Sequence, residues 1–166
     1  VVDRLQQALL VNKAANGEIH PQIDAYSPED LVREIAETAA ALARDRLKVE
    51  PGLAPDLPAI AFFDRNLVEM ALINAIHNSL VYARSTIRIE AGVEAGRLKL
   101  TIRDDSDGYP AHILSSVAAD TPHHSGGTGL GLHFARLIAQ THVNQGRQGE
   151  LRLSNEAGAV FSLLLP

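Results

Sequence analysis

The chain has 166 residues, of which 46% are hydrophobic, and this is enough for one domain with its own core and a short appendage. It has no cysteine, which excludes a disulfide framework, thiol catalysis and cysteine-bound zinc, and is typical of the cytoplasm. The formal net charge of −5 argues against a nucleic-acid partner, and no apolar run is long enough to insert this fragment in a membrane. A longer parent protein can still carry membrane segments.

The first segment is typical of the end of a helix. From Val1 to about Ala15, apolar residues recur at near-helical spacing, and an Asn-Gly pair follows as a stop signal. The stretch 18–26 has no clear period and is interpreted as a linker. A serine, a proline and two acidic residues then predict a helix from Ser27 to about Arg46.

Prolines and a glycine predict a loop over residues 51–58. A short apolar run, Ala59 to Phe63, is predicted to be a strand. Asp64 then caps the most apolar helix of the chain, predicted from Leu67 to about Ala83. Because this helix is hydrophobic almost all round, we expect it to be sandwiched inside the domain.

Two hairpins and a helix complete the chain. Alternating residues predict hairpins over residues 86–103 and 150–165, with a loop-rich stretch over 104–127 and a helix from about Leu130 to Val143. The strands pair locally and the helices lie between the pairs. This order predicts an α/β two-layer sandwich with a mixed, mostly antiparallel sheet covered on one face by helices, and it argues against a doubly wound parallel sheet.

Two asparagines on the apolar helix form the first candidate motif. Asn74 and Asn78 are four residues apart and share one face, so two carboxamides on an apolar surface need partners. They are either buried amides that bond to the backbone or to each other, or their oxygens face a hard cation such as Mg²⁺, which usually arrives with nucleotide phosphates.

An acidic turn, Asp104-Asp105-Ser106-Asp107-Gly108, follows a predicted strand directly. It is either a solvated surface loop or a turn that places one carboxylate at the strand end. In the second interpretation that carboxylate accepts a hydrogen bond from a base amino group.

The third motif, Gly-Gly-Thr-Gly-Leu-Gly-Leu over residues 126–132, opens a predicted helix. The free N–H groups and the positive dipole end of a helix form an anion site, although a flexible linker has the same composition. No Gly-Lys-Ser/Thr follows, which excludes a P-loop, and no strand directly precedes the glycines, which excludes a dinucleotide fingerprint.

With these three motifs in this order, the chain from about Ser27 to Pro166 resembles the ATP-binding domains of sensor histidine kinases, in the superfamily of gyrase, Hsp90 and MutL ATPases. The resemblance implies that Asn78 is a Mg²⁺ ligand, that Asp104 holds the adenine amino group and that Gly108 lets the backbone pass the nucleotide. The other ATP-binding residues that it implies are Tyr82, Gly127, Thr128, Gly129, Leu130, Gly131 and Leu132.

One position favours a branch of the superfamily. Its hydrolytic members have a glutamate four residues before the magnesium asparagine, where the carboxylate activates water as a general base. Here that position is Asn74, and an amide cannot take a proton. The resemblance therefore implies a kinase with Asn74 at the catalytic position. It argues against a gyrase-like, MutL-like or anti-sigma-factor-like protein.

The function implied is that of an ATP-dependent protein-histidine kinase in two-component signal transduction. The domain would donate the γ-phosphoryl group to a histidine on a dimerisation domain absent from this chain, and would act on a response regulator through it. Residues 1–17 would be the remnant of that domain's second helix, 18–26 a linker and 27–166 the catalytic domain of a homodimeric parent. The apolar stripe of the remnant predicts weak self-association or packing back on the domain.

Three departures from the family pattern define the alternative, a degenerate or regulatory nucleotide-binding module without efficient phosphotransfer. Ser106 replaces a usual glycine, which requires its φ to stay negative. Val81 replaces a common lysine, so a charge is missing unless Arg84 supplies it. The segment between Pro110 and Gly127, which corresponds to the family's lid, is shorter than usual for the family and lacks its usual phenylalanine.

Overall fold

A computed structural model describes residues 2–119 and 128–166, apart from the side chains of residues 2–4, 128 and 129. The helices in these ranges are α1 (Val2–Ala15), α2 (Pro28–Ala43), α3 (Arg65–Tyr82), α4 (Ala111–Ala118) and α5 (Thr128–Thr141). The strands are β1 (Asp24–Tyr26), β2 (Lys48–Leu53), β3 (Ala61–Phe63), β4 (Thr86–Glu94), β5 (Arg97–Asp104), β6 (Val143–Asn144), β7 (Arg147–Gln148), β8 (Glu150–Asn155) and β9 (Ala159–Leu165).

The main sheet has five strands in the order β2-β4-β5-β9-β8. β2 and β4 are parallel, and the other neighbours are antiparallel. Apolar side chains of β4 and β5, such as Ile87, Ile89, Leu100 and Ile102, are buried in the core with α2, α3 and α5, whereas the alternate residues of both strands form ion pairs on the other face. The predicted two-layer sandwich with a mixed, mostly antiparallel sheet is confirmed.

Both predicted hairpins are confirmed; the second has the predicted bounds, and the first ends one residue later than predicted, at Asp104. A two-residue turn joins β4 to β5, in which Ala95 and Gly96 have φ of 51° and 76°. Such left-handed turns match the twist of the strands that they connect. The resulting register pairs Asp104 with Ile87 at the end of the sheet.

The capped start of α2 is confirmed. Ser27 is the N-cap, and its hydroxyl accepts a hydrogen bond of 3.2 Å from the backbone N–H of Asp30. The helix ends at Ala43, before the predicted end, because Arg44 and Asp45 adopt left-handed conformations with φ of 50° and 62°.

α3 also begins as predicted, with the Asp64 side chain accepting a hydrogen bond of 3.0 Å from the N–H of Leu67. The expectation that this helix is sandwiched inside the domain does not hold for the exposed Asn66 and His77, or for the C-terminal end, where Val81 and Tyr82 are exposed. The sheet and the neighbouring helices cover the other faces of α3, so this end is left open to solvent and to a ligand.

Three segments predicted as loop or linker contain regular structure. Residues 51–58 were predicted to be a loop, but β2 includes Pro51 and Gly52; an edge strand tolerates proline, because one side of its backbone donates to no neighbour. The linker contains β1, which pairs with β3. The stretch 104–127 contains α4, and its residues 120–127 lie outside the described part of the chain.

Asp64 joins three parts of the chain. Its Oδ2 accepts a hydrogen bond of 2.7 Å from the N–H of Gln22 in the linker, and its own N–H donates to Nε2 of His142 at 3.0 Å. His142 is 1% exposed, and its Nδ1 lies 2.8 Å from the carbonyl oxygen of Ile138. Since Nε2 accepts a bond, Nδ1 carries the proton and the ring is neutral.

We expect this histidine to make folding stability pH-dependent. Burial lowers the pKa of His142, against the smaller raising effects of its bond to Ile138 and of the Asp64 charge. The unfolded chain, with a histidine pKa of about 6.5, therefore binds the proton first as pH falls. The stabilisation is complete above about pH 6.5 and is lost as pH falls from there towards the lowered folded-state pKa.

Urea unfolding at about pH 7.5 and about pH 5.5 measures this effect. Between the two conditions, the wild type should lose more free energy of unfolding than His142→Gln does. His20→Gln, at an exposed histidine, is the matched control and should keep the wild-type pH dependence. The same pH dependence in His142→Gln and the wild type would contradict the assignment.

Candidate functional site

A cavity of about 350 Å³ opens between the C-terminal half of α3, the turn after β5 and the start of α4. Its size is within the range of small-molecule sites. Its wall includes four of the predicted site residues and several of their neighbours: Asn78, Tyr82, Asp104, Gly108, Ser106, Asp107, Tyr109 and Ile113. The fold therefore brings the asparagine helix and the acidic turn to one surface.

The Asp104 carboxylate is held in one orientation in this wall. Its Oδ1 accepts hydrogen bonds from the backbone N–H groups of Ser106 at 2.9 Å and Ala159 at 3.2 Å, and its Oδ2 accepts one from the Ser79 hydroxyl at 2.8 Å. A carboxylate oxygen has two acceptor positions. Oδ2 thus retains one position for a donor group of a ligand.

The other two carboxylates of the turn, those of Asp105 and Asp107, bond to the segment that follows α3. Asp105 accepts hydrogen bonds from the backbone N–H groups of Arg84, Ser85 and Thr86, and so anchors the connection between α3 and β4. Slight burial raises the pKa of Asp105, but these bonds and the Ser85 hydroxyl outweigh it and hold the pKa well below its ordinary range. Asp107 is 89% exposed and forms an ion pair with Arg84 at the rim.

Gly108 occupies a position that favours glycine. It has φ of 90°, and a Cβ there would lie 2.6 Å from the side chain of Asn155. That side chain accepts a hydrogen bond of 2.8 Å from the N–H of Tyr109 and donates one of 3.0 Å to its carbonyl. Ser106 does not have a positive φ, so the condition for a serine at its position is met, and its hydroxyl accepts a bond of 3.1 Å from Gly108.

Tyr109 belongs to the cavity wall, and its phenol is neutral. Its burial, and then the nearby charge of Asp104, raise the pKa of the phenol above its ordinary value. The hydroxyl therefore stays protonated through the physiological range.

Three structural residues of this site were missed by sequence reasoning: Ser79, Asn155 and Gly158. Gly158 has φ of 145°, and a Cβ there would lie 1.9 Å from the carbonyl oxygen of Asp104. Ser79 is the neighbour of Asn78, and a polar residue among apolar ones was a usable signal. Asn155 and Gly158 were visible as turn residues, but nothing in the sequence connects that turn to the acidic one.

Asn74 does not line the cavity. It lies one helical turn before Asn78, where its Oδ1 accepts a hydrogen bond of 2.9 Å from Nε2 of Gln7 on α1. Gly131 of α5 packs against it, since a Cβ at position 131 would lie 3.3 Å from the Asn74 Oδ1. The absence of a side chain at Gly131 therefore allows α5 to approach Asn74 closely.

The glycine-rich motif is described in part. Gly127 lies outside the described residues, while Thr128, Gly129 and Leu130 form the first turn of α5. Leu132 is buried in the hydrophobic core. The motif therefore opens a helix, as predicted, with its first turn close to Asn74.

Over residues 2–119 and 128–166, no group of three or more His, Asp or Glu side chains is placed to hold a metal ion. A Mg²⁺ ion in the cavity would take the Asn78 amide oxygen and oxygens of a ligand and water, which fits its preference for few protein ligands. Within the same ranges, no helix has the length and apolarity needed to cross a bilayer.

An α/β sandwich with an asparagine helix and a strand-end aspartate around one cavity defines a class of ATP-binding domains. The sequence model of the histidine kinase-, DNA gyrase B- and HSP90-like ATPases matches residues 63–166, and the chain belongs to this family. Within it, the chain is similar to the ATP-binding catalytic domains of sensor histidine kinases.

Two curated relatives illustrate the similarity. Sensor histidine kinase GtrS of Pseudomonas aeruginosa is 32% identical over 156 residues, which cover 90% of this chain and 30% of that protein. Sensory histidine kinase/phosphatase NtrB of Escherichia coli O157:H7 is 23% identical over 181 residues, which cover 98% of this chain and 50% of that protein. The chain thus spans half or less of the length of these relatives.

Solved structures share the fold at low identity. The Acinetobacter baumannii histidine kinase AdeS matches with a TM-score of 0.76 and 19% identity, over 97% of this chain and 75% of that one. The catalytic domain of histidine kinase ThkA matches with a TM-score of 0.72 and 20% identity, over 87% of this chain and 97% of that one.

Proposed function

We propose that the chain is the Mg²⁺-ATP-binding catalytic domain of a two-component sensor histidine kinase. It donates the γ-phosphoryl group to a histidine on a dimerisation domain absent from this chain, and acts through that domain on a response regulator. The observation that carries the proposal is the Asp104 carboxylate, fixed by three protein donors in a cavity wall with one acceptor position of Oδ2 left over.

The base end of the nucleotide is proposed to lie at Asp104. The exocyclic amino group of adenine is a donor that suits the remaining position of Oδ2. The exposed ring of Tyr82 and the buried Ile113 supply apolar surface for the base, and the backbone at Gly108 allows close approach. A ligand with a flat, partly apolar ring and one amino donor matches this end of the cavity.

The phosphate end is proposed to lie further along α3. Asn78 lines the cavity beside Asp104, and its amide oxygen would hold Mg²⁺, which supplies charge neutralisation for the phosphates when bound. The N-terminal turn of α5 lies beyond it, where N–H groups attract anions. The proposed phosphate contacts are Gly127, Thr128, Gly129, Leu130, Gly131 and Leu132.

Transfer to another acceptor, in place of hydrolysis, is supported by Asn74. An amide cannot act as general base for water, so the domain positions the phosphates and a partner supplies the nucleophile. Residues 1–17 are proposed to be the remnant of the partner's second helix, with 18–26 as linker, in a cytoplasmic part of a homodimeric parent. α1 packs its Leu10 on the domain but leaves Leu5 and Leu9 71% and 56% exposed, a stripe that suits self-association.

The binding site is tested by titrating ATP with and without Mg²⁺. Asn78→Ala should remove the Mg²⁺-dependent gain in ATP affinity, a loss of about tenfold or more, because a charge-assisted contact disappears. Asn66→Ala, at an exposed asparagine on the same helix, is the matched control and should bind as the wild type does. Full Mg²⁺ dependence in Asn78→Ala would refute the metal assignment.

Transfer is tested with a separately supplied, histidine-bearing dimerisation helix pair. Phosphorylation of that histidine, with no phosphate release by the domain alone, is the expected result. Binding of ATP without transfer would identify a degenerate or regulatory nucleotide-binding module, and turnover by the isolated domain would identify a hydrolase.

A further inference from the structure

Three helices meet at the Asn74 side chain. Gln7 of α1 donates to its Oδ1 at 2.9 Å. On the other side, a Cβ at Gly131 of α5 would lie between 3.3 and 3.5 Å from the Oδ1, Cγ and Nδ2 atoms, so the carboxamide lies flat against the first turn of α5.

The Nδ2 atom of this carboxamide is buried and has no hydrogen-bond partner among the described residues. Buried amide donors are nearly always satisfied, and an unsatisfied one lowers stability. A group of this kind persists where a ligand provides the acceptor. An acceptor from a ligand must enter between α3 and the start of α5, where Gly131 packs on the carboxamide.

Asn74 lies on the phosphate side of the proposed nucleotide. Along α3 the Asp104-bound Ser79 comes last, Asn78 directly before it, and Asn74 one turn earlier, beside the anion-attracting N-terminus of α5. A nucleotide with its base at Asp104 and its metal at Asn78 therefore has its terminal phosphoryl group nearest to Asn74.

We propose that Gln7 is a positioning residue for this contact. By donating to Oδ1 it leaves Nδ2 as the free donor of Asn74, directed to an oxygen of the terminal phosphoryl group of ATP, which ADP lacks. Because Gln7 belongs to α1, docking of α1 on the domain contributes to the preference of the site for ATP over ADP. This inference rests on the proposed function.

The test is titration of the full chain with Mg²⁺-ATP and Mg²⁺-ADP. Gln7→Glu keeps the size of the side chain but removes the donor, so the Asn74 amide turns its Nδ2 towards α1. We expect ATP affinity to fall about tenfold with ADP affinity unchanged, the effect of one lost bond to a charged group. Gln7→Leu removes the donor without adding charge and leaves the Asn74 amide free to turn either way, so ATP affinity should fall by less than in Gln7→Glu, with ADP affinity again unchanged.

Gln6→Glu is the matched control, because it makes the same charge change at an exposed neighbour on α1. This variant should keep the wild-type preference for ATP over ADP. The Asn74 side-chain amide signals in an NMR spectrum should shift in both Gln7 variants and stay in place in Gln6→Glu. A full ATP preference in Gln7→Glu would overturn the inference, as would a wild type that binds ATP and ADP equally. A wild type that binds neither nucleotide would instead refute the proposed function.

Discussion

Asp104→Asn is expected to reduce ATP affinity by about 100-fold or more while the domain stays folded. The amide oxygen can replace Oδ1 and still accept from Ser106 and Ala159, so the turn keeps its backbone bonds. The amide nitrogen then replaces Oδ2, where it presents a donor to the adenine amino group, which is itself a donor. Two donors facing each other in a cavity wall repel the base and leave both groups unpaired.

Calorimetric titration with Mg²⁺-ATP measures this loss, and a thermal melt of the same sample reports the fold. Asp56→Asn removes the same charge in an exposed loop and should bind ATP like the wild type. If Asp104→Asn bound ATP with wild-type affinity, the base would not lie at this carboxylate.

Gly158→Ala is expected to lower the free energy of unfolding by about 3 kcal/mol or more. The residue has φ of 145°, and a Cβ would lie 1.9 Å from the carbonyl oxygen of Asp104, which belongs to the sheet backbone and cannot move aside cheaply. Relief requires the turn after β8 to separate from the turn after β5. The same displacement moves the N–H of Ala159 away from Asp104, so ATP affinity should fall as well.

Gly146→Ala separates the cost of the positive φ from the cost of the contact with Asp104. Gly146 also has a positive φ, of 76°, but a Cβ there would meet no atom within 4 Å. Its substitution should cost only about 1 kcal/mol, the penalty of the left-handed conformation. Urea unfolding of both variants measures the difference. Equal losses of unfolding free energy in the two variants would show that residue 158 does not pack closely against the Asp104 carbonyl.

The candidate site was predictable where its residues are close in sequence. Asn74 and Asn78 are related by helical spacing, and Asp104 to Gly108 form one turn, so local rules were enough to single them out. Which of the three acids is held in the cavity wall was not predictable. Ser79 and Ala159, which bond to Asp104, are distant from it along the chain, and local patterns do not report such contacts.

The limited reach of local patterns also explains why β2 and α4 were not predicted. The pattern of prolines and glycine in residues 51–58 indicates a loop, and β2 forms because β4 offers a parallel neighbour on one side only. α4 has no side-chain cap at its N-terminus, so the usual start signal was absent. Its burial of Ile113 and Ser116 against the rest of the domain marks it as an element that depends on tertiary packing.

The sequence by itself determined the order of the main elements, the two hairpins, the fold class and the family resemblance, because periodicity, caps and turn residues act over a few residues. Only the tertiary structure decided how these elements become a site. In it, Asp104 accepts hydrogen bonds from Ser79 and Ala159, and Gly158 packs against the Asp104 carbonyl. Gln7 donates to Asn74, and Gly131 packs on it. Each of these contacts joins segments far apart in the chain, and their geometry follows from packing around a shared core.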